Sequence, residues 1–436
     1  MTGAVMPGIS PPVAQNDVMT DGRTSDDTAE IPVVVATADP AAAAGPQASA
    51  IASHKAPRKR RRWPWITLAS VLVAFAIIAS AGLWYVSGLI GAGARVAQPD
   101  EGFPMLITAA QGTSITYSGP TGGVKDQGLM GVATVEGGYI QTDSPSASGG
   151  LTTRMVTAQI LPPTPAAGQA AILDGWFFPR NPRVGLGLDY DEIAYDSPVG
   201  PMPAWFIPGS EDTWVIFTHG RGASPAEGLR IANTVSSLGY PMMLIKYRDD
   251  ANAPQQDGLG NFGADEWPDL EAAVQYALDN GASRVVLAGA SMGGSVTLAF
   301  LENSALADRV AGTFLDSPIA DFAQVIRAEA NEMGLPSVVA SAAMRVASWR
   351  YGFDYSATNY TSRPDAFTSP MLVVQGTGDE TVVPAVSEDF AAATGARLEL
   401  FEGAGHLLSW NVDRVRYEAL LTEFLGEVAP NADVPQ

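Results

Sequence analysis

Val285-Val286-Leu287-Ala288, followed at once by Gly289-Ala290-Ser291-Met292-Gly293, is the stretch that decides the fold of this chain. Four consecutive apolar residues before a glycine are typical of a buried strand, and the residues after Gly293 fit a helix. In a G-x-S-x-G pattern the serine occupies a strained turn between strand and helix, where the glycines avoid Cβ clashes. The stretch therefore predicts a nucleophile elbow with Ser291 at its tip. Because glycine makes up 45 of 436 residues, chance matches occur, and the flanking sequence must support the motif.

Strand-like runs alternate with helix-like runs between residues 188 and 428. The predicted strands are 214–218, 242–245, 285–288, 310–315, 371–374 and 397–401. Between the first two, Ser224-Pro225-Ala226-Glu227 predicts a helix start, with Ser224 as N-cap and Glu227 completing a capping box. Alternation of this kind predicts an α/β domain in which helices cover both faces of a mostly parallel sheet.

The loops after the predicted strands carry the residues that a serine nucleophile needs: a base, a carboxylate that orients the base, and donors for the oxyanion. His406 follows the last strand in Gly403-Ala404-Gly405-His406, and Asp379 follows the strand before it. The chain has three histidines, and one of them, His54, lies in the N-terminal leader. Asp316, which also ends a strand, is the alternative acid. The sequence predicts Ser291 as nucleophile, His406 as base and Asp379 as acid.

Four motifs in a fixed order connect this region to a known family. They are Thr218-His219-Gly220-Arg221-Gly222, Gly289-Ala290-Ser291-Met292-Gly293-Gly294, Gly378-Asp379 with Val382-Val383-Pro384, and Gly403-Ala404-Gly405-His406. With these motifs, residues 188–428 resemble an α/β-hydrolase domain, in which the chain order serine, aspartate, histidine is the usual one. The stretches Tyr247-Arg248 and Glu266-Trp267-Pro268-Asp269-Leu270 resemble more narrowly the bacterial branch of serine aminopeptidases and acyl esterases.

The resemblance implies roles for further residues. The backbone N–H groups of Arg221 and Met292 would form the oxyanion hole, and His219 would be structural rather than a base. Some family members place the acid at the position of Asp316. Residues 319–363 contain two helical patterns where family members carry a cap over the site. Either they form such a cap and line an acyl pocket, or they pack as ordinary helices against the sheet edge.

An uncharged stretch over residues 63–90 precedes this region. It is long enough to span a bilayer, and Trp63, Trp65, Trp84 and Tyr85 lie at its two ends, where aromatic residues favour the membrane interface. The basic run 58–62 predicts a cytoplasmic N-terminus and an extracytoplasmic catalytic domain. A cleaved signal peptide ending near residue 81 is the alternative.

The remaining segments have a simpler composition. Residues 1–62 predict a disordered cytoplasmic leader, and 429–436 a short tail. Residues 95–186 contain short β-favouring runs between Gly, Pro and Ser clusters, which predict a small β-rich accessory unit without a catalytic constellation.

Composition narrows the class of partner and cofactor. The formal net charge of −21 argues against nucleic acid as a partner, and the chain has no cysteine. Metal-site spacings, a P-loop and a dinucleotide-binding fingerprint are absent from the sequence, so we expect neither a metal nor a cofactor. The expected protein is a membrane-anchored serine hydrolase that cleaves an ester or related acyl bond in a small-molecule or lipid-like acyl substrate. An acyltransferase, a peptidase and a non-catalytic surface binding protein are the alternatives.

Overall fold

The structure is a computed structural model that describes residues 63–93, 102–119 and 127–430. The expected leader over 1–62 and most of the tail lie outside these residues. The helices are α1 Trp63–Gly93, α2 Pro182–Leu186, α3 Leu229–Ser237, α4 Trp267–Asp279, α5 Met292–Asn303, α6 Phe322–Glu332, α7 Ser337–Tyr351, α8 Pro384–Thr394, α9 Ser409–Val412 and α10 Arg414–Val428. The strands are β1 Met105–Ala110, β2 Ser114–Ser118, β3 Met130–Thr134, β4 Tyr139–Thr142, β5 Ser146–Ser148, β6 Leu151–Leu161, β7 Ala170–Asp174, β8 Asp191–Ser197, β9 Gly200–Ile207, β10 Thr213–Thr218, β11 Met242–Ile245, β12 Arg284–Ala290, β13 Val310–Asp316, β14 Met371–Gly376 and β15 Arg397–Phe401.

An eight-stranded sheet in the order β15-β14-β13-β12-β10-β11-β9-β8 forms the centre of the C-terminal region. Strands β10 to β15 run parallel, and the β8–β9 hairpin joins antiparallel at one edge. Along β10, Trp214 and Ile216 belong to one core while Val215 and Phe217 belong to the other, because neighbouring strand residues point to opposite faces. Helices α4, α5 and α8 cover the first face, and α3 and α10 cover the second. The predicted mostly parallel sheet with helices on both faces is confirmed.

The capping box predicted around Ser224 is only half right. The Ser224 side chain accepts from the Ala226 N–H at 3.3 Å and caps a short 3-10 turn that leads into α3. Glu227 does not complete the box, because its buried carboxylate accepts from the Gly220 N–H at 2.7 Å instead. The charge-assisted hydrogen bond to an amide of the loop after β10 replaces the local hydrogen bond that a capping box requires.

The β-rich unit expected before the sheet is present, and its strands close on themselves. In the described residues, antiparallel pairing runs β2-β1-β7-β3-β4-β6 and returns from β6 to β2, while β5 pairs with β6 outside this ring. Ile107, Tyr117, Val132 and Ile140 are buried inside it. The buried Arg154 guanidinium donates to the Tyr117 hydroxyl at 2.9 Å. The unit is therefore a small barrel with its own core.

Helix α1 is a single apolar helix of 31 residues. The segment Trp63–Ala92 has a mean hydropathy of 2.4, and by length and composition it could cross a membrane. Its first twenty residues are exposed, whereas its last turns contact α7. One long apolar N-terminal helix is thus a possible anchor.

Candidate active site

Ser291 occupies the turn between β12 and α5 with a strained backbone, φ 50° and ψ −116°. The glycine that follows the serine by two residues is required for packing, since a Cβ on Gly293 would lie 2.1 Å from the Thr218 carbonyl oxygen. A Cβ on Gly289 would lie 2.7 Å from the Gly293 carbonyl oxygen. Both glycines let the strand, the turn and the neighbouring strand β10 approach closely. This is the elbow that the sequence predicts.

The structure brings the three predicted catalytic side chains into one chain of hydrogen bonds. His406 Nε2 lies 3.0 Å from Ser291 Oγ, and His406 Nδ1 lies 2.8 Å from Asp379 Oδ2. Asp379 is fully buried, while the His406 side chain keeps 22% of its surface exposed. These are the distances and the order that a nucleophile, a base and an orienting acid require.

Asp379 is held rigidly by donors around its carboxylate. Its Oδ1 accepts from the Thr381 and Val382 N–H groups at 2.9 and 2.8 Å, and the Gln375 side-chain amide donates to Oδ2 at 3.1 Å. Ser387 in turn donates to Gln375 Oε1 at 2.7 Å. Sequence reasoning missed the last two residues as positioning groups. A glutamine at the end of an otherwise apolar strand was the available signal, because buried polar side chains need partners.

The alternative acid, Asp316, has different partners. The Tyr417 hydroxyl donates to its Oδ2 at 2.8 Å, and the Ser317 hydroxyl lies 3.2 Å from its Oδ1. Burial raises the pKa of Asp316, although the neighbouring Arg230 opposes the shift. Its backbone oxygen accepts from the Ser291 N–H at 2.9 Å, so Asp316 supports the elbow through its main chain. The geometry favours Asp379 as the partner of His406.

The predicted oxyanion residues flank the serine. Met292 is the first residue of α5, where N–H groups have no acceptor within the helix. Arg221 follows Gly220, and a Cβ added to Gly220 would lie 3.4 Å from the Ser291 Cβ. Burial lowers the pKa of the Arg221 guanidinium, and Tyr247 and Glu329 oppose that shift. The loop and the helix start are therefore close to the nucleophile, and the two amides remain the predicted oxyanion donors.

His219 lies outside the hydrogen-bond chain of Ser291. It is fully buried, its Nδ1 lies 2.8 Å from the Gly220 carbonyl oxygen and its Nε2 lies 2.9 Å from Asp250. Both partners are acceptors, so only an imidazolium satisfies both. Burial opposes that charge, but the Asp250 carboxylate, the Gly220 carbonyl and Glu227 together outweigh burial and raise the pKa of His219. The ring stacks on Tyr247 at 4.7 Å, as a structural histidine would.

The barrel fastens the loop that carries His406. The Asn411 side-chain amide donates to the Leu129 and Gly175 carbonyl oxygens at 2.6 and 2.9 Å, and the Leu129 N–H donates to the Asn411 carbonyl at 2.9 Å. Next to it, the Trp410 ring lies 5.3 Å from the ring of Phe177. The accessory unit therefore stabilises the chain five residues beyond the candidate base.

A pocket of about 690 Å³ opens beside Ser291 and His406. Its volume lies in the range of roughly 300–1,000 Å³ that is usual for small-molecule sites. Helix α6 lines it with Phe322, Val325, Ile326 and Ala330, and α7 adds Ala340, as the cap alternative for residues 319–363 expects. Among the described residues, no group of three or more acidic or histidine side chains is placed to hold a metal ion.

Residues 215–419 match the model of the alpha/beta hydrolase family. The chain is similar to a Pyrococcus furiosus esterase at 17% identity over 58% of this chain and 97% of that one, with a TM-score of 0.47. It is similar to a puromycin-hydrolyzing peptidase of Mycobacterium tuberculosis at 20% identity, over 73% of this chain and 46% of that one, with a TM-score of 0.45. No curated protein matches the sequence.

Proposed function

We propose, from the match of residues 215–419 to the alpha/beta hydrolase family model, that the protein is a serine hydrolase of acyl esters. The observation that carries the proposal is the hydrogen-bond chain from Ser291 through His406 to Asp379, at 3.0 and 2.8 Å. A serine on a strained turn, paired with a base that a buried carboxylate orients, has the geometry of an activated nucleophile.

The mechanism follows from these contacts. His406 Nε2 takes the Ser291 proton while Oγ bonds to the acyl carbon, and Asp379 stabilises the imidazolium through Nδ1–H. The Arg221 and Met292 N–H groups bind the oxyanion. The imidazolium then protonates the leaving alcohol as its bond to the acyl carbon breaks. Water, deprotonated by His406, attacks the acyl-enzyme, and Ser291 leaves with the returned proton as the acid departs.

The same protein is anchored in a membrane by α1 in this proposal. The uncharged helix follows the basic run 58–62, and this order favours a cytoplasmic N-terminus with the catalytic domain on the other side. The pocket is mostly apolar, which suits a small or lipid-like acyl group as substrate. The net charge of −21 argues against nucleic acid as a partner.

Labelling of the purified full-length protein with a fluorophosphonate probe, together with turnover of p-nitrophenyl acetate, tests the proposal. We expect the parent protein to label and turn over, and Ser291→Ala to lose both. Ser295→Ala is the matched control, since Ser295 is a buried serine one turn further along α5 whose hydroxyl donates to the Ile319 carbonyl. Turnover that survives in Ser291→Ala would contradict the proposal.

A further inference from the structure

The last turns of α1 are fixed to helix α7. The Arg350 guanidinium donates to the Trp84 carbonyl oxygen at 2.7 Å and to the Ser87 hydroxyl at 2.6 Å, and it lies 3.9 Å above the Trp84 ring. One turn later, a Cβ on Gly91 would lie 2.2 Å from the Tyr351 ring, so helix and ring are in close contact. The end of the apolar helix is therefore part of the catalytic domain and not a free tether.

This helix end lines the same pocket as the nucleophile. Val86, Leu89 and Ile90 have the i, i+3, i+4 spacing of one helix face, and all three line the pocket that contains Ser291 and His406. Phe322, Val325 and Ile326 of α6 line it as well. An acyl chain bound beside Ser291 would contact the helix that is apolar enough to span the bilayer.

The apolar surface continues outside the pocket along the cap helices. Met333 lines the pocket and is exposed, and Val338 at the start of α7 is exposed as well. Trp349 keeps 78% of its surface exposed and packs edge-on against Trp84, with ring centroids 6.3 Å apart. Tryptophan favours the membrane–water interface, and exposed apolar patches of this kind mark contact surfaces. Exposed apolar side chains therefore surround the pocket rim next to the last turns of α1.

Charge at the pocket selects among acyl compounds. Glu329, Glu332 and Glu380 line it together with one cation, Arg221. Glu227 also lines it, but its carboxylate accepts the Gly220 N–H. The excess of carboxylates disfavours an anionic head group, because like charges brought together in a partly buried site repel.

From these four observations we infer that the substrate is an uncharged long-chain acyl ester that reaches Ser291 directly from the bilayer, along a wall formed by Val86, Leu89 and Ile90. This inference rests on the proposed function, since it names the substrate of the same nucleophile.

The test uses the full-length protein in phosphatidylcholine vesicles that contain 1-oleoylglycerol, with p-nitrophenyl acetate as the water-soluble reference. Leu89 is the position to change, because it lines the pocket but is 45% exposed, so a larger side chain can be accommodated without unfolding. We expect Leu89→Trp to lower the ratio of kcat/KM for oleoylglycerol to that for the acetate by about tenfold. Tyr85→Trp, an exposed position on α1 outside the pocket, is the matched control and should leave the ratio as in the parent.

A second arm replaces oleoylglycerol with its phosphorylated analogue, oleoylglycerol phosphate, in the same vesicles. We expect the neutral ester to be hydrolysed at least about tenfold faster. An unchanged ratio in a Leu89→Trp protein that still labels with fluorophosphonate, or equal rates for the two esters, would overturn the inference and leave the hydrolase standing. A parent protein that does not label would instead overturn the proposed function.

Discussion

The two sides of the pocket are built in different ways. On one side, the catalytic edge consists of the loops after β12, β14 and β15, which carry Ser291, Asp379 and His406. Backbone N–H groups and glycines hold it, so its geometry is rigid. On the other side, the pocket wall consists of α6, Ala340 of α7 and the last turns of α1, and most of its side chains are apolar. In the proposed hydrolase, changes at the edge should therefore alter kcat, and changes at the wall should alter KM.

The largest effect is expected at the acid of the catalytic edge. Asp379→Asn should lower kcat by about 10⁴-fold, because the amide no longer holds His406 in the tautomer that accepts the serine proton. Asp316→Asn is the matched control, and it should lower kcat by less than about tenfold, since it weakens one hydrogen bond to Tyr417. Steady-state turnover of both variants decides, and a larger loss at Asp316 would reverse the assignment of the acid.

The second effect concerns the close packing of the edge. Gly293→Ala should reduce the free energy of unfolding by about 3 kcal/mol or more, because its Cβ would lie 2.1 Å from the Thr218 carbonyl oxygen. Gly426→Ala in α10 has no atom within 4 Å of the new Cβ and should stabilise the protein by about 0.5–1 kcal/mol. Thermal unfolding measures both, and equal effects of the two alanines would show that the elbow is not tightly packed.

The loop before α4, which carries the pocket residue Phe262, is held by a buried carboxyl group whose ionisation should make stability depend on pH. Burial raises the pKa of Glu266 to about 7, although its carboxylate accepts from the Asn261 and Gly263 N–H groups on either side of the pocket residue Phe262. Folding therefore favours the protonated form of Glu266. The contribution of Glu266 to the free energy of unfolding is complete below the unfolded-state pKa of 4.5 and is lost as the pH rises through 7.

The stability of the parent relative to Glu266→Gln should therefore fall by about 3 kcal/mol between pH 4.5 and pH 8. Denaturant unfolding at several pH values measures the difference, and other titrating groups cancel in it. A difference that is independent of pH, or that grows with pH, would show that folding does not raise the pKa of Glu266.

The barrel contacts the loop that carries His406, and removing this contact should have a smaller effect on stability. Asn411→Ala removes two bonds to the barrel and leaves the Leu129 and Gly175 carbonyls without that donor, which should cost about 2 kcal/mol of unfolding free energy. Asn303→Ala, which removes one bond near the helix surface, should cost less than about 0.5 kcal/mol. We expect kcat to fall in Asn411→Ala and to stay unchanged in Asn303→Ala. Equal kcat values in the two variants would show that the barrel does not support the His406 loop.

The smallest effect is expected at the wall itself. Ile326→Ala should raise KM for long acyl esters by about tenfold or less, since it removes apolar contact from the pocket without touching the catalytic groups. Val415→Ala, an exposed position on α10, serves as the control and should change neither constant. A fall in kcat with unchanged KM in Ile326→Ala would contradict the assignment of substrate binding to the wall and of chemistry to the edge.

The catalytic edge could be read from the sequence because its signals are local. Each candidate residue follows an apolar run, and the carboxyl ends of neighbouring parallel strands meet at one edge of a sheet. The capping box at Ser224 failed because the Glu227 carboxylate found a nonlocal partner, the Gly220 N–H. Gln375 was missed because its role depends on Ser387 and Asp379, which only the folded chain brings together.

The pocket wall and the barrel closure could not be read in the same way. Residues 63–90 have the composition of a membrane span, but no periodic signal shows that Val86, Leu89 and Ile90 line a pocket with the distant Ser291. The closure of the barrel depends on pairing between β2 and β6, which is set by tertiary packing rather than by propensity.

The most direct test of the central claim is to trap the acyl-enzyme. Acid quenching during turnover of a p-nitrophenyl ester, followed by trypsin digestion and mass spectrometry, isolates the peptide 285–309, which contains Ser291, Ser295 and Ser304. We expect fragmentation to place the acyl group on Ser291, and we expect no adduct in Ser291→Ala. An acyl group on another residue would contradict Ser291 as the nucleophile. Turnover by Asp379→Asn, in which we expect deacylation to be slow, without any adduct on this peptide would contradict it as well.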